Sequence, residues 1–411
     1  MKKLAILGIV ALLLAMGLAV VAPVSAAPDI IEVPDDYGTI QAAIDAASTD
    51  DTIIVHAGTY TEDLTISAAK TNLELKPADG DAVTIQGVAT EPWANFPLAT
   101  PNIEILASGV KIHGFTIESP IVAADSYSSG IVLDGEDIEI YDNWFVSQGA
   151  VTGGWVVIQT YRDHVLGYDS DISGLNIHDN DFSETSGGLY VGVFINHTLT
   201  GTGTVYVEDN TFSGSIYQGI VTERSNTTIK GNTLHGSSVY GIIVMDWGTD
   251  TETSRDQNNV EITRNDISGF TKGILIGHSS GTQVLSNISV HKNTVDDNGI
   301  GIQVRSSDTD VAIHHNDVTN NDGDGISLAG DSDSIHHNTV TDNGGDGISL
   351  AGDSDSIHHN TVTGNGGYGI HLTTSSHDNT VHHNTLSGNT LGDIEDDGGT
   401  NNKVFKNKIT P

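Results

Sequence analysis

The sequence contains no cysteine, which excludes a disulfide framework, a thiolate metal site and a lipid-modified cysteine. Basic residues are scarce: 16 Lys and Arg stand against 54 Asp and Glu, giving a net charge of −38. Such a balance argues against nucleic acid as a partner, because phosphate backbones require Lys and Arg. It suits divalent cations, a salty medium or a well-solvated surface. Only one long apolar run is present. Leu4 to Ala22 follow Lys2 and Lys3 and precede Val24-Ser25-Ala26, so residues 1–26 are predicted to be a signal peptide cleaved near Ala27. The mature chain is then extracellular or on the cell surface, with no membrane association after cleavage. Retention of the segment as an anchor is the alternative.

What the sequence does contain is a repeat. Residues 324–341 (DGISLAGDSDSIHHNTVT) recur unchanged at 346–363, a period of 22. A looser form runs through most of the chain, with an Asn three residues after an apolar side chain. The series is Asn143, Asn180, Asn210, Asn232, Asn265, Asn293, Asn316, Asn338, Asn360, Asn384 and Asn407. Short alternations such as Ile326-Ser-Leu328 are strand signals of period two. At about 3.3 Å per residue, 22 residues make one coil of three short strands, stacked on the next at about 4.8 Å. The expected fold is all-β: a right-handed parallel β-helix of about a dozen coils. The Asn column is read as a structural amide ladder at a bend that needs a left-handed backbone.

The start differs. Ile40, Ala43, Ile44 and Ala47 share one helical face, and a short helix there would close the open end of the stack. Thr39-Ile-Gln-Ala-Ala-Ile-Asp-Ala-Ala47, residues 57–63 (AGTYTED) and residues 70–75 (KTNLEL) together resemble the N-terminal cap of pectin-lyase-like β-helix proteins, a group that includes pectinesterases. From residue 103 the chain resembles the parallel β-helix (PbH1-type) repeats of NosD-like and carbohydrate-binding/sugar-hydrolase domains. The implied division is 1–26 signal peptide, 27–102 cap and first coils, and 103–411 repeats with central loop insertions. The pectinesterase catalytic segments are not found in this sequence, so that activity is not carried over. The NosD-like resemblance implies copper-site maturation in some relatives.

Departures from the period mark loops, which often carry binding surfaces. Relative to the short turn 351–356, four coils carry insertions: 159–176, 196–204, 245–260 and 277–289. They leave one side of the stack and flank an uninserted turn at Glu223-Arg224, which predicts a cleft with those two residues on its floor. The candidate catalytic residues are Glu223, Arg224, Asp163, His164 and Asp246. The candidate substrate-binding residues are Tyr161, Arg162, Trp247 and Arg255. Aromatic faces suit sugar rings, Arg pairs with a uronate carboxylate, and carboxylates serve as acid or base.

Two further constellations recur. The His-His-Asn pairs at 314–315, 336–337, 358–359 and 382–383 stack into two columns, read mainly as solvated surface and bend residues. Asp331, Asp333, Asp353 and Asp355 also stack, and calcium is the cation such carboxylates would take. Three functions follow. The first is a monomeric secreted or surface protein that binds a polysaccharide or cell-surface glycan in the cleft and, if it is an enzyme, acts as a lyase or glycoside hydrolase. The second is a non-enzymatic surface-layer or adhesin-type protein. The third is NosD-like metal handling at the histidines.

Overall fold

In the computed structural model the described residues are 27–88, 101–119, 128–147, 155–160, 171–183, 189–196, 202–245, 257–277, 285–305 and 310–410. The predicted signal segment lies outside them. Each turn of the chain contributes one strand to each of three parallel sheets, here named A, B and C in the order the chain visits them. Among the described residues the sheets hold 15, 14 and 13 strands. Strands three apart in sequence are hydrogen-bonded neighbours, so every coil lies on the one before. The register is strict: Ile313, Ile335, Ile357 and Val381 are successive partners in sheet A.

Inward side chains form one continuous apolar column from Ile31 to Leu386. In the middle coils Phe145, Phe182 and Phe212 fill successive inward positions of sheet B, their rings stacked at 4.9 and 4.4 Å. The recurring Gly of sheet C has a steric cause. A Cβ on Gly241 would meet the Gly273 carbonyl oxygen at 2.5 Å.

The predicted Asn column occupies the bend from sheet A to sheet B. Each Asn Nδ2 donates to the Oδ1 of the next; Asn316 to Asn338 and Asn338 to Asn360 are both 3.0 Å. The same Nδ2 reaches a carbonyl of the preceding coil, as Asn338 does to Ile313 at 2.8 Å. In this dry interior an unanswered amide would cost about 1–3 kcal/mol. One detail differs from expectation. The left-handed residue is the one before each Asn: Asp142, Asp179, Asp209, His315, His337, His359 and His383 all have φ between 53° and 58°. Asn stays extended enough to aim its amide along the axis, and the preceding side chain turns outward.

The single helix among the described residues, Ile40–Ala46, lies across the first coil with Ile40, Ala43 and Ile44 buried. Thr39 caps it by accepting from the Ala42 amide. The Glu62 carboxylate takes the amides of Ile40 and Gln41 at 2.9 and 3.0 Å. No helix among the described residues is long and apolar enough to cross a membrane.

Candidate functional site

Long connections join the central strands of sheet C to both neighbouring sheets. Those leaving toward sheet A are the four insertions already identified. Those arriving from sheet B, between Thr116–Glu118 and Ser128–Leu133, Trp144–Val146 and Trp155–Thr160, and Asp181–Ser183 and Leu189–Ile195, escaped the sequence reading. The central C strands also lengthen, up to seven residues in Leu189–Ile195 and Ile216–Thr222. Tyr161, Arg162, Asp163, His164, Asp246, Trp247 and Arg255 lie outside the described residues.

Glu223 and Arg224 are described, and they do not form an open floor. They are only 1% and 3% exposed. Arg224 Nη1 donates to the Gly203 carbonyl of the preceding coil at 2.9 Å. The Arg224 carbonyl accepts from the Thr227 hydroxyl at 3.0 Å. Burial holds the guanidinium below its ordinary pKa, opposed by the Asp171 charge. Burial works against ionisation of Asp171, yet the Ser173 hydroxyl and amide, with Glu136 and Arg224, hold its carboxyl below the usual range. The exposed Glu136 is raised by the Asp171 charge beside it. The outer face of sheet C also packs on itself. Val156, Val191, Val221, Ile243, Met245 and Leu275 point away from the core and still form a buried apolar cluster.

Around that cluster runs a diagonal of polar and aromatic groups. Tyr190 and Tyr217, register partners in adjacent strands, stack at 5.1 Å and 5°; Tyr217 is 40% exposed. Tyr240 and Lys272 are partners in the next two coils. Lys272 Nζ donates to Gln303 Oε1 of the following coil. Burial and then the Arg305 charge hold the Lys272 ammonium below its ordinary pKa. Among the described residues neither Lys272 nor Arg305 meets a carboxylate. Two half-buried cations in a chain of net charge −38 are therefore left facing outward together. The sequence signal for these groups was their position in or beside the C strands; Tyr240 and Lys272 each stand two residues before an inward Ile, Ile242 and Ile274.

At the regular end the same face carries His371 between two carboxylates, Nδ1 to Asp346 at 2.7 Å and Nε2 to Asp397 at 3.0 Å. Burial alone would lower this imidazole, but the two carboxylates win and raise it.

The four aspartates serve the backbone. Asp355 Oδ1 accepts the Asp333 amide at 2.7 Å, and the Asp355 amide goes to Asn379 Oδ1 at 2.7 Å. Asp331 Oδ1 takes the Asp353 amide at 2.9 Å, and Asp353 Oδ1 takes the His377 amide at 2.7 Å. Burial pushes the Asp355 carboxyl up to about 7, helped by the Asp331 and Asp353 charges and opposed by the Asp333 amide. Asn196 is 3% exposed and donates to the Thr160 carbonyl.

The histidine columns run along the end of sheet A. Parallel rings of His291, His314, His336, His358 and His382 stack at 4.7–5.2 Å. His315, His337, His359 and His383 stack beside them at 5.0–5.2 Å. Within each coil the two rings meet edge to face, Nδ1 to Nδ1, at 2.7–3.0 Å. Burial, then the neighbouring imidazoles, lowers His314 and His358 to about 4. His314 and His358 are therefore neutral at pH 7.

Three parallel sheets wound in this order define the class: a right-handed parallel β-helix. Within it, residues 245–408 match the family model described as periplasmic copper-binding protein (NosD). No curated protein sequence matches the chain. Among solved structures, an A-module of a mannuronan C-5 epimerase from Azotobacter vinelandii aligns over 90% of this chain and 94% of its own at 15% identity, TM-score 0.58. A periplasmic alginate epimerase aligns over 93% and 84%, also at 15% identity, TM-score 0.52. The receptor-binding tailspike of bacteriophage Det7 aligns over 82% and 74% at 14% identity, TM-score 0.50. At these identities the likeness is one of fold.

Proposed function

We propose that this is a secreted or cell-surface protein that binds an acidic polysaccharide along the outer face of sheet C. The observation that carries the reading is the diagonal from Tyr190 and Tyr217 through Tyr240 to Lys272, Gln303 and Arg305. Aromatic faces accept the apolar side of a sugar ring. A paired ammonium and guanidinium accept a uronate carboxylate, the guanidinium bidentately. The diagonal crosses five coils, about 19 Å at 4.8 Å per coil, which is long enough for several sugar residues in a row. The fold is shared with proteins named as mannuronan and alginate epimerases, which supports a polyuronate over a neutral glycan. The test is binding of polymannuronate, polygalacturonate and a neutral glucan, with parallel detection of new unsaturated or reducing ends. Binding of the polyuronates alone supports the reading. No binding to any glycan would leave a rigid surface-layer or adhesin-type rod.

A second reading, metal handling, is favoured by one observation. A cation about 2.0–2.1 Å from both Nδ1 atoms of a histidine pair would sit at an N–metal–N angle of about 90°, the tetragonal preference of Cu(II) and Ni(II). The neutral state of His314 and His358 leaves lone pairs available. The matched family model covers all four pairs. Titration with Cu(II), followed by its d–d absorption, tests this reading; absorption unchanged by replacing His336, His337, His358 and His359 with Gln would reject it.

A further inference from the structure

We infer that Glu32, Asp35 and His56 form a zinc-type divalent metal site that fastens the first strand to the stack. Their ligand atoms all lie within 4.8 Å of one another. His56 Nε2 stands 3.5 Å from Glu32 Oε2. Two ligands on a tetrahedral zinc, each at about 2.0–2.2 Å, stand about 3.3–3.6 Å apart, so this pair is already spaced for a shared ion. The mixture of one imidazole and two carboxylates suits zinc and its neighbours better than calcium, which takes oxygen alone.

The surroundings hold this arrangement in place. His56 Nδ1 faces Asp81 Oδ2 at 3.3 Å. That oxygen is itself fixed by the Ala57 amide at 3.1 Å. A carboxylate on the far nitrogen of a ligating imidazole sets its tautomer and aims the other nitrogen at the metal. The turn carrying Asp35 is pinned by the Asp36 amide on the Glu32 carbonyl at 2.8 Å and by the Glu32 amide on Asp36 Oδ2 at 2.9 Å. Three carboxylates around one imidazole repel one another, and a bound dication removes that repulsion. Three protein ligands leave the fourth position of the ion to water.

The consequence is mechanical. Among the described residues Ile30–Val33 is the edge strand of sheet A, paired on one side only, with Thr52–Val55. Glu32 is on that strand and His56 follows its partner, so the ion would close the chain between them. A strand whose opening breaks the site should open about 100-fold less often when free zinc is 100 times its dissociation constant.

The test uses the full chain with Zn2+ alone, read by metal content and by amide exchange of Ile30–Val33. Wild type should bind one more zinc than His56→Gln, which isolates this site from any zinc on the histidine columns. Zinc should slow exchange of Ile30–Val33 in wild type and leave it unchanged in His56→Gln. Asp81→Asn should keep the stoichiometry and weaken this one site about 10- to 100-fold. The partly exposed positions of His56 and Asp81 make both variants foldable, and far-ultraviolet dichroism checks it. Equal zinc content in wild type and His56→Gln, or exchange of the edge strand indifferent to zinc, overturns the assignment.

Discussion

The central and C-terminal coils share one interior and differ on the outside. Successive ladder asparagines are 37, 30 and 33 residues apart in the middle, at Asn143–Asn180, Asn180–Asn210 and Asn232–Asn265, and 22 apart at Asn316–Asn338–Asn360. Yet the amide bond between rungs is 3.0–3.2 Å throughout. The lesson is that the core tolerates any connection length so long as bends and inward side chains keep register. Diversity is therefore free to collect on sheet C, where the strands lengthen and outward residues change from coil to coil. In the regular coils those positions are Ser327, Ser349 and His371; in the central ones they are Val221, Ile243 and Leu275.

If the interior is common, breaking it should cost the same at either end. Asn338→Ala strands the Asn316 amide groups and the Ile313 carbonyl, and Asn210→Ala does the equivalent at Asn180 and Ile177. Each should lose about 3 kcal/mol or more in denaturant unfolding, at roughly 1–3 kcal/mol per stranded group. A large loss at one position and none at the other would break the comparison.

The C-terminal ladder also offers a way to gain stability. Asp355 sits on a rung whose next members are Asn379 and Asn402, and its Oδ2 is buried with no hydrogen-bond partner. Its folded pKa of about 7 lies above the ordinary carboxylate value of 3.8. The unfolded chain therefore releases this proton first as pH rises. The folded state loses stability from about pH 4 to pH 7 and stays penalised above that. Asp355→Asn should abolish the penalty, adding roughly 2 kcal/mol at pH 8, with a ceiling of about 4 kcal/mol from three pKa units, and little at pH 4. Equal effects at both pH values would contradict the buried acid.

The smallest expected effect concerns the histidine columns. His314 and His358 have folded pKa values near 4, below the ordinary 6.5. The unfolded chain takes up protons first, so their contribution is complete above pH 6.5 and is lost as pH falls toward 4. Replacing His336 and His358 together by Gln should leave Tm at pH 7.5 nearly unchanged and flatten its decline between pH 6.5 and 4. An unaltered acid profile would show that the columns do not resist protonation.

These contrasts also explain what was legible in the sequence. The Asn register, the coil length and the Ile40, Ala43 and Ile44 face of the cap repeat or pattern by geometry, so spacing alone reveals them. A second ladder, Asn298, Asn321, Asn343, Asn365 and Asn389, obeys the same rule at the bend from sheet B to sheet C. It was overlooked because it begins only at residue 298. Outward residues carry no such period. Arg224 looked like a cleft floor because its turn is short, but burial depends on what packs above it, and the outward apolar cluster could not be separated from core by alternation alone. Lys272 and Arg305 were missed for the converse reason: Lys272 opens a C strand and Arg305 directly follows one, whereas the candidates were sought in the long loops.

The central claim is that glycan recognition belongs to the outer face of sheet C and not to the histidine columns. The most direct test measures polyuronate binding by calorimetry for wild type, Lys272→Gln with Arg305→Gln, and His336→Gln with His358→Gln, all at pH 7.5 and one ionic strength. The account predicts a loss of tenfold or more for the Lys272 and Arg305 pair, since charged hydrogen bonds contribute about 1.5–3 kcal/mol each. It predicts a change of less than twofold for the histidine pair, with folding of both variants within about 1 kcal/mol of wild type. Undiminished binding in the Lys272 and Arg305 variant, or a loss confined to the histidine variant, would contradict it.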